Sequence, residues 1–224
     1  SAARHHVASQ RPRPRPRPRL VVATRSAHKL RDLGELLHLE RAALLSLDDL
    51  EVLGEPIEDG ATFAANARIK ARFAAQATGL PSLADDSGIE VDALGGGPGV
   101  LTRRYAGRDA TDADNNSKLL AALDGLPPDR RGARYVCVLA LALPDRRGPR
   151  DGLPMLLRRG TCRGRIAAAP RGRGGFGYDP IFEPAGEPPG GRTLGLYTRA
   201  EKHAISHRAR AARRMVPLLR DLGF

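Results

Sequence analysis

The run Arg134–Leu143, RYVCVLALAL, constrains this chain most: it is almost wholly apolar and lies between Pro127-Pro128 and Pro144. Proline lacks a backbone donor and interrupts regular structure, so one element has to form and end between these limits. Its length and its Tyr, Val and Cys favour a buried strand, although the Ala and Leu content also allows a buried helix. The segment Leu156–Ile166 reads as a second strand, making a hairpin-like pair with the first.

Strand-like and helix-like segments alternate along the rest of the chain. Leu20-Val21-Val22-Ala23 is a short apolar run, and Leu30, Leu33, Leu36 and Leu37 follow at helical spacing, which gives strand, loop and helix. A second helix is expected from about Ala61 to Gln76, ended by Gly79 and Pro81. Ser82-Leu83-Ala84 reads as a brief strand that delivers Asp85-Asp86-Ser87-Gly88 to its end. Gly95-Gly96-Gly97-Pro98-Gly99 has to be a loop, and so does Gly172–Pro180. Helices are expected over Asp112–Leu123 and, as one amphipathic element, over Ala204–Leu222. This alternation predicts an α/β fold.

With 224 residues and 41% apolar content, the chain suffices for one domain, which we place at residues 20–224. Residues 1–19 hold six arginines and no acid, half of the +12 net charge, and QRPRPRPRPR within them alternates Pro with Arg. Mutually repelling guanidinium groups and donorless prolines do not pack, so we read a disordered or extended tail, carried passively. An alternative makes it a nonspecific phosphate-binding arm. No apolar stretch approaches the roughly 18 residues of a membrane span. The Arg- and Pro-bearing N-terminal segment is unlike a secretory signal, so the expected location is the cytoplasm. Cys137 and Cys162 lack the close pairing of a zinc or redox site and are expected as buried thiols.

Three acids are candidates for chemistry: Glu58, just before the second helix, and the adjacent Asp85 and Asp86. Hard divalent cations take a few carboxylate oxygens together with water and phosphate. Taken alone, Glu58 reads as an exposed acid near a helix start, and Asp85-Asp86 as solvated turn residues. Lys29 falls in the first turn after a strand, where loop N–H groups and a helix N-terminus favour phosphate. Asn66 and Lys70 are four apart on the second helix and project from one face, beside Phe63 and Ala67. Phe176 and Tyr178 stand among glycines, where an aromatic ring has room to stack on a base. His207-Arg208 offers hydrogen bonds to a base edge. There is no Walker-type GxxxxGK[ST] sequence, and no Ser-His-Asp or Cys-His arrangement is legible.

Six stretches, taken in order, resemble the inosine triphosphate pyrophosphatase family. They are Thr24-Arg25-Ser26-Ala27-His28-Lys29, Glu58–Ala67, Ala84–Gly88, Ala93–Gly99, Phe176-Gly177-Tyr178-Asp179-Pro180 and Ile205-Ser206-His207-Arg208. The resemblance runs from about Leu20 to the C-terminus. It implies a long central mixed sheet flanked by helices, with two lobes and an active cleft between them, usually in a homodimer. It implies Mg2+-dependent hydrolysis of ITP, dITP and XTP to monophosphate and pyrophosphate. Glu58 and Asp86 then resemble the metal ligands, Asp86 also the base for the attacking water, and Asp85 a supporting carboxylate. Thr24 to Lys29 and Lys70 would hold the triphosphate, Asn66 would support that face, and Ser87 and Lys202 resemble substrate contacts. Phe176 to Asp179 with His207 and Arg208 resemble the base pocket.

The chain departs from the family pattern at several places. Ser26 stands where Asn is usual, Arg25 where Gly is frequent, and Ala64-Ala65 where acids are common. Leu101-Thr102-Arg103 and Leu194-Gly195-Leu196-Tyr197 also differ from the usual residues. A competing reading, from the Arg/Pro tail and Ser26, is a nucleic-acid- or nucleotide-binding module with weak or no catalysis.

Overall fold

The computed structural model describes residues 16–144 and 154–224; most of the expected tail, residues 1–15, lies outside the described residues. The elements in chain order are β1 (Arg19–Val22), α1 (Ala27–Leu37), β2 (Ala43–Leu45), α2 (Phe63–Thr78), β3 (Ser82–Val91) and α3 (Asp112–Ala122). They continue with β4 (Gly132–Ala142), β5 (Met155–Ile166), β6 (Phe182–Pro184), α4 (Arg199–Ile205) and α5 (His207–Asp221). The strands form one mixed sheet in the order β2-β1-β3-β4-β5-β6. β1 pairs in parallel with β2 and β3, and β3 through β6 are antiparallel neighbours.

Side chains alternate across a strand, and the core follows that period. Leu83, Cys137, Leu139 and Leu141 face α1 and α5, whereas Ala84, Val136, Val138 and Ala140 face α2. β4 is therefore apolar on both faces, which is why its sequence is a continuous apolar run. Farther along the α1/α5 face, Ile89, Val91, Tyr135 and Ile166 pack with Leu119 and Leu123 of α3.

α2 begins where the Thr62 side chain accepts from Ala65 N–H at 3.1 Å and ends at Gly79 with φ of +65°. Both are expected cap chemistries. Its buried face is mostly alanine, at positions 67, 71, 74 and 75, which lets the helix lie close to the sheet. Two glycines are required by close approach. A Cβ on Gly160 would lie 2.1 Å from the His207 carbonyl oxygen, so α5 crosses β5 directly at that point. A Cβ on Gly88 would lie 2.4 Å from Thr102 Oγ1 and 2.8 Å from Phe63.

Two expectations are corrected. Asp85 and Asp86 do not stand at the end of a brief strand: β3 is ten residues long and both lie in its middle, paired with Leu139 and Val138. The long antiparallel partner β4 supplies a hydrogen-bonding ladder that holds these polar residues extended. The C-terminal segment is two helices, because Ser206 is extended (φ −64°, ψ 153°) and serves as last cap of α4 and first cap of α5. Cys137 and Cys162 lie in separate strands as buried thiols, and burial pushes Cys137 up to about 12. Among the described residues, no helix is long and apolar enough to cross a membrane.

Candidate active site

The adjacent carboxylates of β3 point to opposite faces of the sheet. Asp86 faces α2, where Lys70 Nζ lies 2.8 Å from its Oδ1 and 3.3 Å from Glu58 Oε2. The single ammonium thus bridges two acids drawn from different parts of the chain. Asn66, one helical turn before Lys70, accepts from Gly60 N–H at 2.8 Å and so fixes the segment that carries Glu58. Burial raises the pKa of Asp86; Lys70 restrains the rise, and Glu58 and Asp85 add to it. Burial disfavours the Lys70 charge, but Asp85, Asp86 and Glu58 outweigh it and raise its pKa.

Asp85 faces α1 and α5. Its Oδ1 lies 3.5 Å from Lys29 Nζ and its Oδ2 3.2 Å from Arg208 Nη2. Burial opposes its charge, yet Lys29, Arg208 and Lys70 together hold the carboxyl far below its usual range. It is therefore a permanent anion. Arg208 Nη1 also binds Asp32 Oδ2 at 2.8 Å, and His203 Nε2 binds Asp32 Oδ1 at 2.8 Å. Asp32 was not anticipated from sequence, although it stands three residues after Lys29 on α1 and so shares its face.

The first loop is built on β1 and capped into α1. Ser26, the departure noted above, is the helix N-cap: its Oγ accepts from Lys29 N–H at 3.3 Å. Thr24 Oγ1 accepts from Ser26 N–H at 3.1 Å, and Ala27 is the first helical residue. Arg25 turns toward residues 48–55, pairing with Asp48 and donating to the Val52 and Gly54 carbonyls at 2.9 and 2.6 Å. It braces the approach to Glu58. Ser87 follows Asp86 in β3 and is half-buried.

A cavity of about 330 Å³ opens on the α1/α5 side, lined among others by His28, Phe176, Lys202, His207 and Arg208. Phe176 is 38% exposed; Lys202 Nζ sits 4.3 Å from its ring centre, and His28 meets its edge at 5.2 Å. Lys202 pairs with Asp179, which also accepts from Phe176 N–H at 2.9 Å and Tyr135 OH at 3.3 Å. Gly177 is held to α3, donating its N–H to Asp112 at 2.7 Å and accepting from Asn116 at 3.2 Å. Tyr178 is placed otherwise: it is 2% exposed, packs in the core and donates to the Thr102 carbonyl at 2.7 Å. His207 stacks on Tyr135 with ring centres 4.7 Å apart, and burial holds its pKa well below the usual imidazole range. It is a neutral ring. Two buried polar atoms on this wall have no protein partner, His207 Nδ1 and Arg208 Nε.

The mixed sheet sets Asp86, Lys70 and Glu58 on one side and a donor-lined cavity on the other, an α/β protein with acids and cations gathered about the middle of one strand. Comparison with known proteins identifies the family. Residues 20–218 match the Ham1 family. The chain is 48% identical over 192 residues to the dITP/XTP pyrophosphatase of Syntrophobacter fumaroxidans, covering 86% of this chain and 78% of that protein. It is 48% identical over 206 residues to the dITP/XTP pyrophosphatase of Mycobacterium tuberculosis, covering 91% of this chain and 96% of that one. A solved HAM1 protein from Coxiella burnetii superposes with a TM-score of 0.80 at 40% identity, over 91% of this chain and 99% of the other. This chain belongs to the Ham1 family.

Proposed function

We propose that this enzyme hydrolyses deaminated purine nucleoside triphosphates, ITP, dITP and XTP, to the monophosphate and pyrophosphate, with Mg2+ as cofactor. The observation that carries the choice of base is Arg208, a cavity-lining guanidinium whose buried Nε–H has no partner in the protein. An unmade hydrogen bond of this kind costs about 1–3 kcal/mol, and a keto oxygen on hypoxanthine or xanthine relieves it. The 6-amino group of adenine presents a donor there and leaves the N–H unpaired. The Phe176 face offers the base a stacking surface. The relatives from Syntrophobacter and Mycobacterium, both named dITP/XTP pyrophosphatases, support dITP and XTP among these substrates.

Glu58 and Asp86 suit Mg2+: both donors are carboxylates, and they converge on a single ammonium that balances only one of their charges. An ion held by Glu58 and Asp86 would neutralise phosphate charge and polarise the phosphoryl oxygens. Asp86 takes the proton of the attacking water, and its raised pKa suits that role. The water oxygen bonds to the α-phosphorus as the bond to the bridging oxygen breaks, and pyrophosphate leaves. The Lys29 side chain and the N–H groups of Arg25, Ala27 and His28, which begin the loop and helix between Thr24 and Lys29, bind the departing phosphates, while Lys70 stabilises charge at the reacting centre. Asp85 keeps Lys29 and Arg208 in place, and Ser87, on the same strand face as Asp85, contacts the substrate from that side. A homodimer in the cytoplasm is part of the same proposal.

The test is product analysis with ITP, XTP, dGTP and ATP in parallel, with and without Mg2+. ITP and XTP should give monophosphate and pyrophosphate at least about 100-fold faster than ATP does. Equal rates on ATP, or orthophosphate as the first product, would overturn the proposal.

A further inference from the structure

The cavity that takes the base and the carboxylate that supports the phosphates are joined by an unbroken line of hydrogen bonds and ion pairs. It runs from His203 on α4 to Asp32 on α1, from Asp32 to Arg208 on α5, and from Arg208 to Asp85 on β3, which meets Lys29. The two Asp32 oxygens are divided between the ends of this line: Oδ1 accepts from or pairs with His203 Nε2 at 2.8 Å, and Oδ2 takes Arg208 Nη1 at 2.8 Å. Arg208 in turn spends its two terminal nitrogens on Asp32 and Asp85, which fixes the guanidinium plane, and its Nε is left without a partner in the protein.

We infer that His203 is a positioning residue: by holding Asp32 it orients Arg208 for the purine base, and so ties base binding to the phosphate end through Asp85. A guanidinium held at only one end can swing about its remaining contact. The direction of Nε depends on both carboxylates, and the Asp32 carboxylate keeps one orientation only while both of its oxygens are occupied. His203 is a side chain of intermediate exposure in a seven-residue helix, which a surface ion pair alone would make almost neutral for stability. Its effect is therefore expected in substrate recognition.

The inference rests on the purine triphosphate reading above, and the test separates the two. Kinetics with ITP and ATP are compared for the wild-type protein, His203→Ala and His203→Gln, with melting temperatures measured alongside. Wild-type turnover of ITP establishes the underlying reading first; its absence would overturn both. With turnover present, His203→Ala should raise KM for ITP about tenfold, change kcat less than about threefold, and narrow the preference for ITP over ATP by about tenfold. His203→Gln, whose amide N–H can reach the same Asp32 oxygen, should return these values to within about twofold of wild type. Asp32→Asn, which keeps the shape and removes the charge, should give the pattern of His203→Ala with a larger rise in KM. Unchanged KM and preference in a folded His203→Ala protein would overturn the inference, as would a folded His203→Gln protein that behaves like His203→Ala.

Discussion

Asp85 and Asp86 are neighbours in sequence and opposites in environment. Asp85 meets Lys29 and Arg208 on the α1/α5 face, and its carboxyl stays far below the usual range; Asp86 meets Lys70 on the α2 face, with its pKa raised. Both are buried or nearly so, and burial raises both; the difference lies in what else surrounds them. Three cations outweigh burial at Asp85, whereas at Asp86 one cation is partly offset by the acids Glu58 and Asp85. One peptide bond separates a permanent anion, suited to holding cations in place, from a carboxylate that takes up a proton readily. A strand makes this possible, because successive side chains leave by opposite faces.

The largest expected effect breaks the pair at Asp86. Asp86→Asn should lower kcat by about 10³, with the melting temperature unchanged or raised, since a buried carboxylate with a raised pKa opposes folding. A rate within tenfold of wild type would remove Asp86 from its role. Asp85→Asn should act chiefly on the fold: it leaves Arg208 with Asp32 alone in the interior, and losing one partner of a buried pair costs roughly 3 kcal/mol. Urea denaturation measures this, and a loss under about 1 kcal/mol would show that Asp85 is not the anchor described.

Acid titration of stability separates the two acids further, in metal-free protein. Asp85 has a folded pKa below its ordinary value of 3.8, so its contribution is complete above that value and is lost as pH falls below it. Asp86 has a folded pKa above 3.8, so wild type gains stability relative to Asp86→Asn as pH falls through that raised value toward 3.8. Urea midpoints across this range should therefore move in opposite senses for the two variants against wild type; parallel curves would contradict the contrast. The smallest effect is expected at Ser26, which caps the helix bringing Lys29 to Asp85. Ser26→Asn should leave stability within about 0.5 kcal/mol, since both residues cap well, and lower KM for ITP about twofold by adding an amide near the phosphates.

Sequence made much of this fold legible where apolar periodicity was strong. β4, β5, α2 and α3 lie within about two residues of their expected places. β2 and β6, three residues each, carry too little pattern to announce themselves. The polar stretch Asp85-Asp86-Ser87-Gly88 looks like a turn, and only pairing with β4 makes it a strand. The start of α4 had a local signal in the Thr198/Glu201 capping box, and its break from α5 had one in the Ser206 cap, but both were masked by a continuous run of helix-forming residues. In the site, Asn66 and Lys70 share one face of α2 as helical spacing suggests, and Glu58 reaches Lys70 from the segment before the helix. Asp32 and His203 were missed because Asp32 meets its partners, His203 and Arg208, across most of the chain, a separation that no local pattern reveals. Tyr178 was read toward the base from its glycine-rich surroundings, while packing turns it into the core.

The central claim is that Asp86, not its neighbour, directs water at the α-phosphorus. Hydrolysis of ITP in heavy-oxygen water, with mass analysis of both products, tests it most directly. One labelled oxygen should appear in the monophosphate and none in the pyrophosphate, and the labelling rate should collapse in Asp86→Asn. Label in the pyrophosphate, or undiminished labelling in Asp86→Asn, would contradict it.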